Sequence, residues 1–573
     1  MQNSGRNRVV IENVRPEVEG GYPIKRIVRD TIIVTADIFT DGRDPISAEL
    51  LYRKAGHASF NRVPMKSLDN DRWEGRFQVN EIGRYEYTIE GSIHRSFISR
   101  YAILQAVVDR PLARFSAWYE RFPHSCSEIS GQHGTFTDLE RLIPEIAQMG
   151  FDVLYLPPIH PIGVTHRKGK NNTTDATPED IGSPWAIGSG EGGHTAINSR
   201  LGTADDFTRL IKKAAEYKME IALDLAFQCS PDHPYIQDHP EWFRWRSDGT
   251  IQCAENPPKI YQDIVPFDFE TEEWEALWAE LKNIVLFWIK RGIKIFRVDN
   301  PHTKPFSFWE WLIPTIKDQY PETLFLAEAF TRPKLMYRLA KIGFSQSYTY
   351  FAWRRTKQEI ISYMKEMTTT PLLYNIYRPH FWPSTPDILA EPLRHAERSF
   401  FMMRFVLAST LSSNYGIYGP AFELGINKPF NDDPACEEYS DSEKYEIKTW
   451  QWNGSENIKG FIAKINQIRR ENIQFHTTHD LTFYEISNEN LLAYGKRIGN
   501  HPIIMIIVNL QPNQPHAGMV RLPLTEMGIA HQQSFIVHDL LTDQKYNWKG
   551  ESNFVELLPH RLPAHIFRIE KIE

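Results

Sequence analysis

The sequence predicts an α/β protein, a (β/α)8 TIM barrel flanked by N-terminal and C-terminal β-sandwich domains. Three observations carry that prediction. Three apolar runs end in a carboxylate: Ile221-Ala222-Leu223-Asp224, Ile295-Phe296-Arg297-Val298-Asp299 and Leu324-Phe325-Leu326-Ala327-Glu328. Helix-length stretches separate them in a strand–helix–strand rhythm that runs to about residue 420, the mark of a parallel sheet. Both ends of the chain instead read as strands broken by turns. An unpaired carboxylate is costly to bury. Several at the carboxyl ends of successive strands are therefore expected at one mouth, the face where such barrels keep their active sites.

Residues 1–107 hold the first β-region. Ile32-Ile33-Val34-Thr35-Ala36-Asp37-Ile38 is β-branched, and Tyr85-Glu86-Tyr87-Thr88-Ile89 alternates polar and apolar, as in a small sandwich. The barrel is assigned to 108–480. Ala117-Trp118-Tyr119-Glu120-Arg121-Phe122 reads as its first strand, and a helical stretch leads through Gly150 into Val153-Leu154-Tyr155-Leu156. Between 161 and 202 the rhythm breaks into a Gly-, Asn- and Thr-rich stretch. A loop this long is usually functional or disordered, and because it follows a barrel strand it is expected over the catalytic face as an inserted loop domain. In 481–573, runs such as Ile503-Ile504-Met505-Ile506-Ile507-Val508 and Ser534-Phe535-Ile536-Val537 predict the second sandwich.

Composition narrows the class. The 573 residues are 41% hydrophobic and 24% charged, with a formal net charge of −7, and no basic tract suggests nucleic acid or a membrane surface. Four scattered cysteines form no CxxC pair and no zinc-like spacing with histidine; they are expected as free thiols. Neither a secretory leader nor a bilayer-length apolar stretch is visible, so the expectation is a soluble cytoplasmic protein without metal or cofactor. Aromatics reach 13%, which suits stacking on sugar rings but equally suits a large core.

The acids themselves indicate a reaction. Arg297 and Asp299 lie two apart in a strand and so share a face. A guanidinium beside a carboxylate favours the ionised form, which suits Asp299 as a nucleophile; a buried Arg–Asp pair that merely locks strands is the alternative. Glu328 sits between Ala327 and Ala329, where burial is expected to keep it protonatable, as a general acid requires. One ionised and one protonated carboxyl are what retaining glycosyl transfer needs. Asp387, in Phe381-Trp382-Pro383-Ser384-Thr385-Pro386-Asp387, reads on its own equally well as a helix cap or as a holder of sugar hydroxyls.

In order and spacing, Arg297-Val298-Asp299, Leu326-Ala327-Glu328-Ala329-Phe330 and Asp387 resemble the α-amylase superfamily. The flanking residues depart from ordinary amylases. Gln228 and Cys229 follow Asp224-Leu225-Ala226-Phe227 where amylases carry Asn-His after the Asp, and Pro386 replaces the usual His before the last acid. With Val298-Asp299-Asn300-Pro301-His302-Thr303-Lys304-Pro305 and Ala254-Glu255-Asn256-Pro257-Pro258-Lys259-Ile260-Tyr261, these departures resemble the α-1,4-glucan:maltose-1-phosphate maltosyltransferases.

That resemblance implies roles. Asp299 is the nucleophile, Glu328 the acid/base and Asp387 the transition-state stabiliser. Asn256, Lys259, Tyr261 and Asn300 meet the donor's phosphate, Lys168 and Gln228 its sugars, and Arg297 partners the nucleophile. It implies a loop domain after the third barrel strand, and α-maltose 1-phosphate and an α-1,4-glucan as substrates. Without it, Lys168 reads as a solvated loop charge. Asp224 is expected to be structural or at the edge of the sugar site. Another amylase-like hydrolase or transglycosylase, or a non-catalytic glycan-binding scaffold, stays open as an alternative. Ser384 stands where the family commonly has Asn. The helical insert that the family carries after the first β-region, and uses in dimers, is missing here, which leaves a homodimer open.

Overall fold

The computed structural model describes residues 7–93, 97–256, 259–452, 454, 456–559 and 561–571, with only the backbone of Asn256, Lys259 and Lys571. Eight parallel strands close a barrel in chain order. They are β1 (Ser116–Glu120), β2 (Val153–Leu156), β3 (Glu220–Leu225), β4 (Ile295–Asp299), β5 (Leu324–Glu328), β6 (Gln346–Tyr348), β7 (Pro379–Phe381) and β8 (Asn414–Ile417). A helix follows each strand, from Phe136–Gln148 after β1 to Lys459–Glu471 after β8. The (β/α)8 fold is the one the carboxylate-ended runs predict.

Local chemistry accounts for the helix starts. Thr135, Thr203 and Thr356 each accept from the backbone N–H three residues on, and Asp138, Asp206 and Glu359 return the bond. Such reciprocal capping satisfies donors that a helix start otherwise leaves open. Inside the barrel, Trp118, Val153, Tyr155, Ala222, Ile295, Leu324, Leu326, Tyr348 and Trp382 fill the axis. Each large side chain buried there contributes roughly 1.5–3 kcal/mol. The fit is close: a Cβ on Gly416 of β8 would lie 2.4 Å from the Trp382 ring.

Two sheets precede the barrel. One has the strands Val9–Arg15, Thr31–Thr40, Arg72–Gln78 and Lys66–Ser67; the other is built around Gly83–Ile93, Ile46–Lys54 and Leu104–Asp109. Between Gly83–Ile93 and β1 the described residues form two strands, Phe97–Arg100 and Leu104–Asp109, and one 3-10 turn, but no α-helix. After the barrel come a six-stranded sheet from Leu481–Tyr484 to Ala564–Lys571 and a separate two-stranded pair. Among the described residues no helix is long and apolar enough to cross a membrane.

Two excursions cover the barrel mouth. Residues 161–202 follow β2 and contain, among regular elements, one 3-10 turn, Lys170–Asn172. The second excursion, after β3, carries the short strands Gln228–Cys229, Ala254–Asn256, Lys259–Tyr261 and Val265–Pro266. The sequence pattern singles out the first because its composition is extreme. The second has more ordinary composition, yet it occupies the position after the third strand that the family resemblance implies for a loop domain.

Candidate active site

Strand pairing brings the acids together. β3, β4 and β5 are neighbours in the barrel; Asp224 pairs in register with Arg297, and Asp299 with Glu328. Arg297 is the hub. Its Nη1 donates to Asp224 Oδ2 at 3.0 Å and Asp299 Oδ1 at 2.8 Å, and its Nη2 lies 3.4 Å from Glu328 Oε1. The guanidinium also lies 5.8 and 5.7 Å from the ring centres of Tyr155 and Tyr348, within range of a cation–π attraction.

The three acids have different surroundings. Asp224 has a fully buried side chain and accepts from Tyr155 Oη at 2.5 Å and Trp185 Nε1 at 3.3 Å. Burial raises its pKa, against the pull of Arg297. Glu328 is 8% exposed. Burial pushes its carboxyl up to about 8; Arg297 opposes that shift and Asp299 adds to it. Asp299 is buried to about the same degree, at 7% exposure.

A residue in a left-handed turn ties Asp299 and Glu328 together. Asn300 has φ 42° and ψ 53°, left-handed values that asparagine tolerates better than most side chains. In that pose its backbone N–H donates to Glu328 Oε2 at 3.2 Å and its Nδ2 to Asp299 Oδ2 at 3.4 Å. Lys304 holds the turn from beneath, with Nζ 3.4 Å from Asp299 O and 3.3 Å from Asn300 O.

Asp387 lies six residues beyond β7 and forms an ion pair with Lys444. Burial depresses the Lys444 ammonium, but the Asp387 carboxylate beside it outweighs that and holds it well above an ordinary lysine. Lys444 Nζ also lies 5.9 Å from the Trp185 ring, so the loop after β8 joins Asp387 to the wall of the Asp224 pocket.

The remaining expected contacts gather on the excursions. Lys168 is 4% exposed and donates to Gln262 Oε1 at 2.5 Å, so it is not the solvated charge that composition alone suggests. Gln228 is half-buried, and its Nε2 reaches Trp185 O at 3.4 Å. Ala254–Asn256 and Lys259–Tyr261 form an antiparallel ladder in which Asn256 pairs with Lys259; the side chains of these two residues lie outside the described part. Tyr261 is half-buried. Asp263, two residues on, feels the charges of both Lys168 and Lys444, which ties the ladder to the Asp387 side of the site.

Several residues escape sequence reasoning. Glu120 ends β1 at 1% exposure, and its Oε2 has no hydrogen-bond partner among the described residues. Burial pushes its carboxyl well above an ordinary glutamate, against the pull of Arg297. The signal was present, an acid ending a run of apolar and aromatic residues, but it stands one short strand away from any other acid. Tyr155, Trp185, Lys304 and Lys444 carry no spacing that marks them.

One cluster invites a metal: His194, Cys229 and His233 have ligand atoms within 4.8 Å of one another. Its ring nitrogens are already committed. His233 Nδ1 accepts from the Tyr235 N–H at 3.1 Å, so its Nε2 carries the proton that faces His194 Nδ1 at 3.1 Å. His194 Nε2 then donates to Ala226 O at 2.9 Å. Burial holds both rings neutral, His194 well below an ordinary histidine and His233 down to about 3. The trio is thereby complete as a structural lock between the two excursions.

Comparison with known proteins adds the family context. Residues 7–102 match the family profile described as "Alpha-1,4-glucan:maltose-1-phosphate maltosyltransferase, domain N/S". Residues 483–569 match the profile described as "GLGE, C-terminal". A protein of Methylacidiphilum infernorum named alpha-1,4-glucan:maltose-1-phosphate maltosyltransferase is 48% identical, over 99% of this chain and 96% of that protein. One of the same name from Chlorobaculum tepidum is 47% identical, over 99% and 97%. The first alignment spans 647 residues against a chain of 573, so that relative carries segments with no counterpart here. Among solved structures, the maltogenic α-amylase AmyB of Thermotoga neapolitana shares the fold with a TM-score of 0.62 at 19% identity, over 81% of this chain and 100% of that one. The α-amylase of Geobacillus thermoleovorans, solved with acarbose, gives 0.61 at 14%, over 80% and 99%.

Proposed function

Because the chain belongs to the α-1,4-glucan:maltose-1-phosphate maltosyltransferases, we propose that it moves maltosyl from α-maltose 1-phosphate to the non-reducing end of an α-1,4-glucan by two displacements. The observation that carries the mechanism is the register pair Asp299–Glu328 on one guanidinium. In the first displacement, Asp299 Oδ attacks C1, the bond from C1 to the phosphate oxygen breaks, and the Glu328 proton passes to the departing phosphate. A covalent β-maltosyl ester remains on Asp299. In the second, the acceptor's 4-hydroxyl attacks C1, its proton goes to Glu328, and the ester bond breaks to regenerate Asp299. Two inversions give net retention.

A neutral Glu328 suits the first step, and a half-exposed Asp387 on Lys444 suits a group that exchanges its ion pair for sugar hydroxyls as positive charge develops. The phosphate is assigned to Asn256, Lys259, Tyr261 and Asn300, a set of one ammonium, a phenol and two amides that offers donors to a dianion. Lys168 and Gln228 are assigned to the donor's sugars. Transfer must outcompete water at roughly 55 M, so it depends on how well the acceptor is positioned.

Incubation with α-maltose 1-phosphate and maltohexaose tests this reading. It expects phosphate release with a product ladder growing by maltosyl steps, and Lys259→Ala to cripple both. Free maltose with no ladder would point to a hydrolase, and unchanged turnover in Asp299→Ala would overturn the nucleophile.

A further inference from the structure

At the amino-terminal end of the barrel strands, opposite the carboxylates, a cavity of about 510 Å³ separates the N-terminal sheets from the barrel helices. That volume is in the ordinary range for small-molecule sites. Ile82, Val107, Ile313, Pro314 and Ile342 give it an apolar wall, and Lys25, Asp109 and Lys317 its polar floor.

Charge on that floor does not balance. Asp109, 1% exposed, accepts from Lys317 Nζ at 2.6 Å and also from Arg378 Nη1. Its charge is thus shared between two cations before Lys25 is counted. Lys25, on the strand Ile24–Ile27, is 8% exposed and donates to the Phe344 carbonyl, and it makes no ion pair among the described residues. The other acids on the walls are occupied: Glu310 by Tyr22 and Arg338, Asp318 by Arg84. At the rim, Lys54 and Lys341 pair with Glu81 and Glu19. Three buried cations around one carboxylate form an arrangement that a low-dielectric site corrects by losing a proton or by taking in an anion. Burial, with Arg378 close by, indeed holds Lys25 well below an ordinary lysine, against the pull of Asp109.

We propose that this cavity is a binding site for a small organic anion, whose phosphate or carboxylate sits on Lys25 and Lys317 and whose apolar body lies against Ile82, Val107 and Ile313. The site is separate from the catalytic mouth: it lies beneath the starts of β6 and β7, next to Phe344 and Arg378.

Calorimetric titration of the full chain with phenyl phosphate tests it. The Lys259→Ala background removes the proposed phosphate contact at the catalytic mouth. Binding is expected to persist in that background and to weaken at least tenfold on adding Lys25→Met. Ile82→Trp, which fills the cavity from its half-buried rim and leaves Lys25 in place, is expected to do the same, and it decides the question if Lys25→Met does not fold. Phenol is expected not to bind. Absence of binding in the background, undiminished binding in the folded variants, or equal binding of phenol would overturn the proposal.

Discussion

Replacing Arg297 by methionine removes the one cation shared by three carboxyls. Its Nη1 holds Asp224 at 3.0 Å and Asp299 at 2.8 Å, so those oxygens lie within about 6 Å of each other. Two like charges at that distance repel by about 3 kcal/mol at an effective dielectric of about 20. Breaking a buried pair by removing one partner costs about 3–5 kcal/mol overall. The loss must depend on pH. Without the guanidinium, the folded-state pKa of Asp224, already raised by burial, climbs further above its unfolded value of about 4. Stability from a carboxyl shifted upward is fully present below the unfolded pKa and is lost as pH rises through the folded one. Calorimetric unfolding should therefore show Arg297→Met less stable than the wild type by about 3–5 kcal/mol overall, with the deficit about 1 kcal/mol larger at pH 8 than at pH 5, because the wild-type Asp224 carboxyl itself titrates at about 7. Adding Asp224→Asn removes one of the repelling charges while keeping an acceptor for Tyr155 and Trp185. It should restore more stability at pH 8 than at pH 5, because the amide has no proton to take up on folding. A deficit equal at both values, or a double variant no more stable than the single one, would refute the view that Arg297 balances these charges.

The alkaline limb of the pH–rate profile should follow Glu328. With its carboxyl pushed up to about 8, kcat/KM is expected to fall as pH rises past about 8, and in Glu328→Gln the much reduced residual rate should lose that limb; a wild-type profile flat to pH 10 would contradict the assignment. A packing test concerns the lock between the excursions: a Cβ on Gly193 would lie 2.0 Å from His233 Nε2, whereas one on Gly190 meets nothing within 4 Å. Gly193→Ala should cost about 1–3 kcal/mol as overpacking, and Gly190→Ala less than about 0.5, both read from thermal unfolding.

What could be read in the sequence divides along physical lines. The strands β3, β4 and β5 were legible because each is a short apolar run closed by a charge, and a charge in such a place needs a reason. Arg297 beside Asp299 was legible because side chains two apart in a strand share a face. That Arg297 also holds Asp224 and Glu328 was not, since it depends on which strands neighbour one another and in what register. Lys168 read as a solvated charge until the family context and the fold buried it against Gln262. Lys444 and Trp185 come from irregular loops, where no period ties a residue to the site, and the loop region after β3 was overshadowed by the more unusual composition after β2. Glu120 shows the converse: its own strand was recognised, but the charged residues around it lie on other strands and loops.

The same division bears on how the site works. Asp299, Glu328, Arg297 and Asp224 are placed by ladder hydrogen bonds between adjacent strands, so their mutual geometry is as rigid as the barrel. Asp387, Lys444, Lys168 and the ladder of Asn256 with Lys259 come from loops and excursions. In the proposed mechanism, bond making and breaking at C1 uses the first set. The choice of phosphate as the leaving group and of a glucan hydroxyl rather than water as the acceptor is assigned to the second. The solved amylases share the barrel frame at TM-scores of 0.61–0.62 and 14–19% identity. Asn300 is where the two sets meet. It is the first residue past β4, and its left-handed turn aims the side-chain amide at Asp299 and the backbone N–H at Glu328. A phosphate contact at that residue, as proposed, would couple donor binding directly to the placement of Asp299 and Glu328.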